Sequence, residues 1–379
     1  MRIILCVTND IATDRRVNRS ALSLMKLPCD ILVIGRVHPH AMPLPDYPYR
    51  TKRMKMMFSK GALFYAEFNL RLFSLLLFKK ADILVANDLD TLPGVFLASC
   101  LRRLPVVYDS HEYYTEVPEL LGRKWVKRIW ESIEALILPH IQYASTVSAS
   151  VADEYKHKYG IRMRVIRNLP FRLENLQPAS VMKNNNEKSI IYQGSLNMGR
   201  GLETVIKAMR YIENTRLIIA GTGDIEDELK ELARSLALHD KVHFTGRIPA
   251  KELYSYTVQA DLGISLEEKL GLNYYYALPN KLFDYIQARV PVLVSDVPEM
   301  KSIVLQYQIG RVTSVHDPYE LSLLITEMLT NSVQRQIWKS NLEKAAGELC
   351  WENEEHLLLD LFQQVIKKTK QPGRSINQE

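Results

Sequence analysis

The chain has 379 residues, 47% of them apolar and 24% charged, and a net charge of +6. That length suits two domains, each large enough to bury its own core, and the balance is ordinary for a soluble globular protein. The positive charge is local and no nucleic-acid-binding motif accompanies it, which argues against a nucleic-acid partner. Four cysteines (Cys6, Cys29, Cys100, Cys350) show neither metal spacing nor a disulfide framework, and read as reduced thiols of a cytosolic protein.

Met1–Val7 is a short apolar run with no long hydrophobic region or small-residue cleavage site, so it reads as a first strand and not a signal peptide. A polar loop at 8–14 leads to a helix from about Arg15 to Lys26, and 30–35 is the next strand. Residues 50–60 are strongly basic and run into an apolar stretch that ends at Lys79-Lys80. Glu67, Asn69 and Arg71 interrupt that stretch, and the reading is that it is too short and too broken to span a bilayer. A second basic segment, 123–130, carries Trp125 and Trp130. Basic residues mixed with aromatics fit an anionic membrane surface; a pair of core helices with solvated lysines fits equally well.

Further strands are expected at 82–87, 105–109, 146–148 and 164–167. Buried apolar strands separated by helices imply a doubly wound parallel α/β domain over 1–170. Residues 171–188 are polar and aperiodic, as a linker would be. A second α/β series follows over 189–350, with strands at 189–193, 216–220, 241–244, 261–265 and 291–295. The expected fold class is therefore two Rossmann-like domains facing across a cleft, with a flexible tail at 370–379. In such sheets ligands bind beyond the carboxyl ends of the strands.

The loops at those ends carry the candidate chemistry. Gly194 and Ser195 open a glycine-rich loop that ends at Arg200, a cation suited to phosphate oxygens. Gly221 and Gly223 match the dinucleotide fingerprint only in part and sit on an internal strand, so NAD is not the expected ligand. Arg247 and Ile248 form a turn where a base could meet main-chain groups. Pro279-Asn280-Lys281 reads as a helix start, with Pro279 in the first turn. Its amides and Lys281 suit a diphosphate, and Asp284, three residues on, can face the same site. Alone, the octapeptide Leu278–Tyr285 reads as an ordinary capped helix with one surface pair. In the first domain, Asp88, His111 and Glu112 lie at strand ends as candidate polar anchors for a substrate, although a lone His such as His111 is more readily read as a hydrogen-bonded structural residue. No His/Cys cluster has metal spacing, and neither a metal nor another cofactor is expected.

Taken together, these residues resemble the retaining, family-4-type (group 1) glycosyltransferases of the GT-B fold. The resemblance is carried by Gly194…Arg200-Gly201, Ala220-Gly221-Thr222-Gly223, Phe244–Ile248 and Pro279–Tyr285, and in the first domain by Asp14–Arg19, which includes Arg16, and Tyr108–Glu112. It implies a nucleotide-diphosphate sugar held by the second domain and an acceptor against the first. It also implies a final helix at 351–369 that crosses back to the first domain. On this reading Arg200 and Lys281 neutralise the leaving diphosphate, Asp284 holds the ribose and Arg247-Ile248 contact the base. His111 touches the donor sugar, while Asp88, Glu112 and Arg16 line the acceptor side. The chain departs from the family where relatives carry two glutamates: it has Tyr276 and Asp284 instead, and Glu267 or Glu268 is the remaining source of a carboxylate. Ser195 stands where relatives often have a basic residue.

The expected function is transfer of a sugar, with UDP the favoured carrier, to a glycan or lipid-linked acceptor in surface-polysaccharide assembly. The expected location is cytoplasmic, extending to a peripheral position on the inner face of the membrane. A GT-B-fold nucleotide-sugar epimerase and a non-catalytic nucleotide-sugar-binding subunit remain as rival readings.

Overall fold

Every strand pairing among the described residues is parallel. Each strand must therefore be followed by a crossover that carries the chain back to the starting edge of the sheet. The computed structural model describes residues 1–38, 43–117, 120, 122–174 and 187–370.

The first series is β1 (Arg2–Cys6), α1 (Arg15–Leu24), β2 (Asp30–Arg36), β3 (Arg50–Met54), α2 (Gly61–Phe78), β4 (Ile83–Asn87), α3 (Leu92–Arg102), β5 (Val106–Ser110), α4 (Lys124–Ile137), β6 (Tyr143–Thr146), α5 (Ala149–Tyr159) and β7 (Arg164–Val165). Its sheet order is β3-β2-β1-β4-β5-β6-β7. The second series is β8 (Lys188–Gln193), α6 (Leu202–Ala208), β9 (Thr215–Ala220), α7 (Glu226–Ser235), β10 (Val242–Gly246), α8 (Ala250–Thr257), β11 (Leu262–Ser265), α9 (Leu272–Tyr275), α10 (Asn280–Gln287), β12 (Val292–Ser295), α11 (Pro298–Tyr307), β13 (Gly310–Thr313), α12 (Pro318–Thr330), α13 (Ser332–Glu348) and α14 (Trp351–Thr369). Its order is β10-β9-β8-β11-β12-β13. In both sheets the first strand lies between the second and the fourth of its series. The chain therefore winds outward in two directions and opens a crevice at the carboxyl ends of β1/β4 and of β8/β11.

Local chemistry sets the element ends. Asp14 caps α1 by accepting the Val17 amide at 2.9 Å, and Ser148 caps α5. Ser148 is thus a cap and not part of a strand, and β6 ends at Thr146. The basic segment 50–54, to which the sequence reading assigned no strand, forms the edge strand β3. Charged side chains suit an open sheet edge because they discourage further pairing. By length and composition α2 is long and apolar enough to cross a membrane, contrary to the sequence reading. In this fold, however, Phe64, Phe68, Leu72 and Leu76 recur every fourth residue and pack into the core.

The chain divides into two compact units, Met1–Asn168 with Glu354 onward, and Leu169–Asn353. The division falls earlier than the boundary at 170, because Leu169 is buried in the core of the second unit. Of the expected linker 171–188, residues 175–186 lie outside the described residues. Residues 172 and 173 are tied down, with Arg172 N donating to Glu352 and Leu173 N to Gln287 Oε1 at 3.1 Å. The expected tail, 370–379, lies outside the described residues beyond Lys370. α14 begins in the second unit and passes into the first, where Glu354 grips Arg167. The carboxylate accepts the Arg167 main-chain amide at 2.8 Å and the guanidinium at 2.8 and 3.2 Å. Glu354 is buried, so removing it leaves an amide and a cation without their acceptor. Glu354→Ala should cost about 2–3 kcal/mol, read as a lower unfolding midpoint and earlier proteolysis within α14.

Candidate functional site

In the second unit, the loop after β8 and the loop after β9 lie backbone to backbone. Gly194 N donates to Ala220 O and Leu196 N to Thr222 O, both at 3.0 Å. A Cβ on Gly221 would stand 1.8 Å from Gly194 O, so this approach requires glycine. Gly221 therefore acts by seating the β8 loop, and Gly223 lies exposed on the same turn. On the other side of β8, a Cβ on Gly201 would meet Leu266 O at 2.3 Å. That close packing brings the neighbouring Arg200 against the loop after β11.

There the side chain of Glu267 is fully buried. One of its oxygens takes the Lys281 ammonium at 3.0 Å and the Arg200 guanidinium at 3.4 Å, and Ser265 Oγ donates to the carboxylate at 2.8 Å. Burial pushes the Glu267 pKa up, but Lys281 and Arg200 outweigh it and hold the group below its ordinary value. The carboxylate stays ionised and fixes both cations. Two aromatic faces complete the arrangement: Lys281 Nζ lies 4.0 Å from the Tyr192 ring centre, and the Arg200 guanidinium 4.5 Å from that of Tyr274. Two cations around one anion leave a net positive site.

α10 starts beside this cluster. Pro279 is its N-cap in extended conformation, one position before the helical turn the sequence suggested. No side chain caps the helix, and Asn280 is exposed at its first position. Lys281 is held by Glu267. Asp284 is buried and accepts from Gln193 Nε2 and Tyr254 Oη, each at 2.8 Å. Ser195 is exposed, and its carbonyl accepts from Tyr192 Oη at 2.7 Å. Arg247 is exposed and Ile248 half-buried after β10.

In the first unit, the loops after β4 and β5 meet through His111. Its Nδ1 lies 3.0 Å from Asp88 Oδ2 and its Nε2 3.2 Å from Asp109 Oδ2. The His111 main-chain amide also donates to Asp88 Oδ1 at 2.7 Å, and Asp88 takes a left-handed backbone (φ 63°) to make this contact. Behind His111, Arg16 donates to both oxygens of Asp109, at 2.6 and 3.1 Å, and Ser145 Oγ adds a bond at 2.8 Å. Burial opposes the charge on Asp109, but Arg16 and His111 hold its pKa far below the usual range.

These contacts correct two expectations. Both nitrogens of His111 are committed to carboxylates, so no ring nitrogen remains to meet a sugar. Arg16 is buried and spent on Asp109, so it supports the site from behind and does not line it. Glu112 is exposed at the rim. Burial lowers the affinity of His111 for its proton, but Asp88 and Asp109 outweigh it and raise the pKa to about 10. Asp90, buried beside Asp88 and bonded by Thr8 Oγ1, is pushed up by burial to about 8.

The sequence missed Asp109 and Asp90 as partners of this cluster, although Asp109 and His111 stand two apart where β5 ends, on one face. Of the two glutamates considered, the structure brings Glu267 to the cations. The Tyr276 ring lies tilted against that of Tyr275, with 5.2 Å between their centres. No sequence signal marks Tyr192, Tyr254 or Tyr274. Among the described residues, no group of three His, Cys, Asp or Glu side chains could hold a metal ion.

A family model described as glycosyl transferases group 1 matches residues 174–345, and one for glycosyltransferase family 4 matches residues 14–169. The chain belongs to the group 1 glycosyltransferase family. Its fold is GT-B. Sucrose-phosphate synthase from Thermosynechococcus elongatus superposes with a TM-score of 0.80 at 17% identity, over 97% of this chain and 100% of that one. An Anabaena protein solved in complex with UDP-glucose gives a TM-score of 0.70 at 14% identity, over 98% and 99%. In sequence, the chain is 22% identical over 242 residues to an alpha-monoglucosyldiacylglycerol synthase of Streptococcus pneumoniae, covering 57% of this chain and 52% of that protein. The chain spans about half the length of the curated relatives it matches.

Two outcomes test the electrostatics of this group 1 member. Glu267→Gln removes the carboxylate that pairs with both Arg200 and Lys281. It should cost about 3 kcal/mol without ligand, and a nucleoside diphosphate should then raise the melting temperature more than it does for the parent. His111 and Asp90 both hold protons more tightly when folded. Asp90 should therefore draw stability down between pH 3.8 and about 8, and His111 between pH 6.5 and about 10. Urea unfolding across this range should show the decline, with Asp90→Asn flattening its lower part and His111→Gln its upper part.

Proposed function

We propose that the chain is a retaining glycosyltransferase that moves a hexosyl group from a UDP-sugar to a glycan or lipid-linked acceptor in surface-polysaccharide assembly. The observation that carries this reading is the Arg200–Glu267–Lys281 cluster beside the uncapped start of α10. The UDP-glucose complex of the Anabaena neighbour supports the choice of donor. The name of the pneumococcal relative supports a lipid acceptor.

In the reaction, the bond from the anomeric carbon to the diphosphate oxygen breaks, and its electron pair stays on that oxygen. Arg200, Lys281 and the first amides of α10 stabilise the charge that develops there. The acceptor hydroxyl bonds to the anomeric carbon on the face the diphosphate leaves, which retains the configuration. Glu267 is a poor base because two cations hold its pKa down. His111 is a poor base because it already carries a proton near neutral pH. The departing diphosphate oxygen is then the nearest destination for the hydroxyl proton. Asp284, oriented by Gln193 and Tyr254, holds the ribose, and the Arg247–Ile248 turn meets the base. No metal or other cofactor takes part.

The test is a thermal-shift panel of nucleoside diphosphates and their sugars. A shift with uridine ligands, lost in Arg200→Ala and Lys281→Ala, is the expected result. Turnover should fall about a hundredfold to a thousandfold in either variant, and NMR of the product should show the donor's anomeric configuration. No shift with any nucleotide would sink the proposal. Conversion of the donor sugar without acceptor would replace it with an epimerase.

A further inference from the structure

The first unit carries an exposed apolar cluster that the donor and acceptor residues do not use. Met57 is 75% exposed and Trp125 is 77% exposed, and Phe58, Leu63 and Ile129 are exposed with them. Large apolar side chains gathered in this way mark a contact surface. They are also held rigidly. Glu67 accepts the main-chain amides of Met57 and Phe58, each at 3.0 Å. Arg36 donates to Ser59 O at 3.0 Å, and its guanidinium lies 4.3 Å from the centre of the Phe64 ring. A loop tied down from both sides, with its apolar side chains still pointing outward, is built to present them.

The loop and the start of α4 share one end of the unit. β3 and β5 belong to one parallel sheet, so the chain leaves both at the carboxyl end, and α2 and α4 begin there. The two helices touch through Tyr65 and Trp130, whose rings are 5.2 Å apart in T-shaped contact. Trp125 lies about 7.5 Å along α4 from Trp130 towards that end. Four exposed cations are interleaved with the apolar groups: Lys55, Lys60, Lys124 and Arg128. Arg128 lies 5.5 Å from the Trp125 ring centre. The end of the sheet that carries this cluster also carries Asp88 and His111.

We propose that the 55–63 loop and the first two turns of α4 dock the protein on an anionic bilayer. Met57, Phe58, Leu63, Trp125 and Ile129 enter the headgroup region, and the four cations pair with lipid phosphates. A tryptophan with Lys124 beside it in the chain and Arg128 over its ring suits the membrane–water boundary, where one end of the ring is apolar and the other wet. Docking through this end brings the acceptor residues to the surface that a lipid-linked acceptor occupies. The inference deepens the lipid-acceptor reading above, but vesicle binding needs no donor, so either can fail without the other.

The experiment is flotation of the full chain with vesicles of phosphatidylglycerol in phosphatidylcholine, against phosphatidylcholine alone. Binding should require the anionic lipid and weaken with added salt. Each change among Lys55→Gln, Lys60→Gln and Lys124→Gln should lower partitioning about fivefold. Met57→Ser with Phe58→Ser and Trp125→Ser should lower it at least about tenfold. These side chains are exposed, so the variants should melt with the parent. Lys339→Gln with Lys344→Gln, on α13 of the second unit, should bind as the parent does. Equal binding to neutral vesicles, no binding to either, or binding unchanged in the patch variants would overturn the proposal. So would patch-dependent self-association in sedimentation without vesicles.

Discussion

Parallel strands can be joined only by crossovers, and that constraint governs the rest of this molecule. Each loop that follows a strand emerges at the same end of its sheet. Residues as distant in sequence as Arg200, Glu267 and Lys281 are therefore delivered to one small region. So are Thr8, Asp88 and His111 in the first unit. Winding outward from β1 and from β8 in two directions opens a gap at those ends, and both side-chain clusters sit there.

Each unit then meets the same electrostatic problem with a buried carboxylate. Glu267 holds two cations in place, and Asp109 holds Arg16 and His111. Ionised groups are costly to bury, so each persists only because its partners are close and correctly oriented. The outcomes differ in sign. Around Glu267 the sum is positive, which suits an incoming diphosphate. Around His111 three carboxylates crowd together, and the proton on Asp90 relieves part of their repulsion. The same logic explains why His111 is an imidazolium held in place and not a proton shuttle.

Much of the fold was legible in advance. The alternation of short apolar runs with helical segments announced two doubly wound domains, and most strands fell within a residue or two of their expected ends. The failures have local causes. Arg50–Met54 read only as a basic segment, but an edge strand tolerates charge on its open side. Leu169 read as the end of the first domain and Leu173 as linker, but one is buried in the second core and the main-chain amide of the other donates to Gln287. In the site, Arg200 and Lys281 were legible as cations at strand-following loops. Their shared partner Glu267 was only one of two adjacent glutamates, and nothing in the sequence chose between them.

By itself the sequence determined the periodicity of its elements, the loops that follow its strands and the residue types those loops carry, because these depend on spacing along one chain. Tertiary structure alone decided which side chains are spent on one another. Arg16 faces inward to Asp109, and His111 is clamped on both nitrogens, whereas Asp284 is only oriented by Gln193 and Tyr254. Pairing of that kind is set by distances of a few ångströms between segments up to about a hundred residues apart. No local pattern encodes such distances, because they follow from how the helices pack the strands side by side.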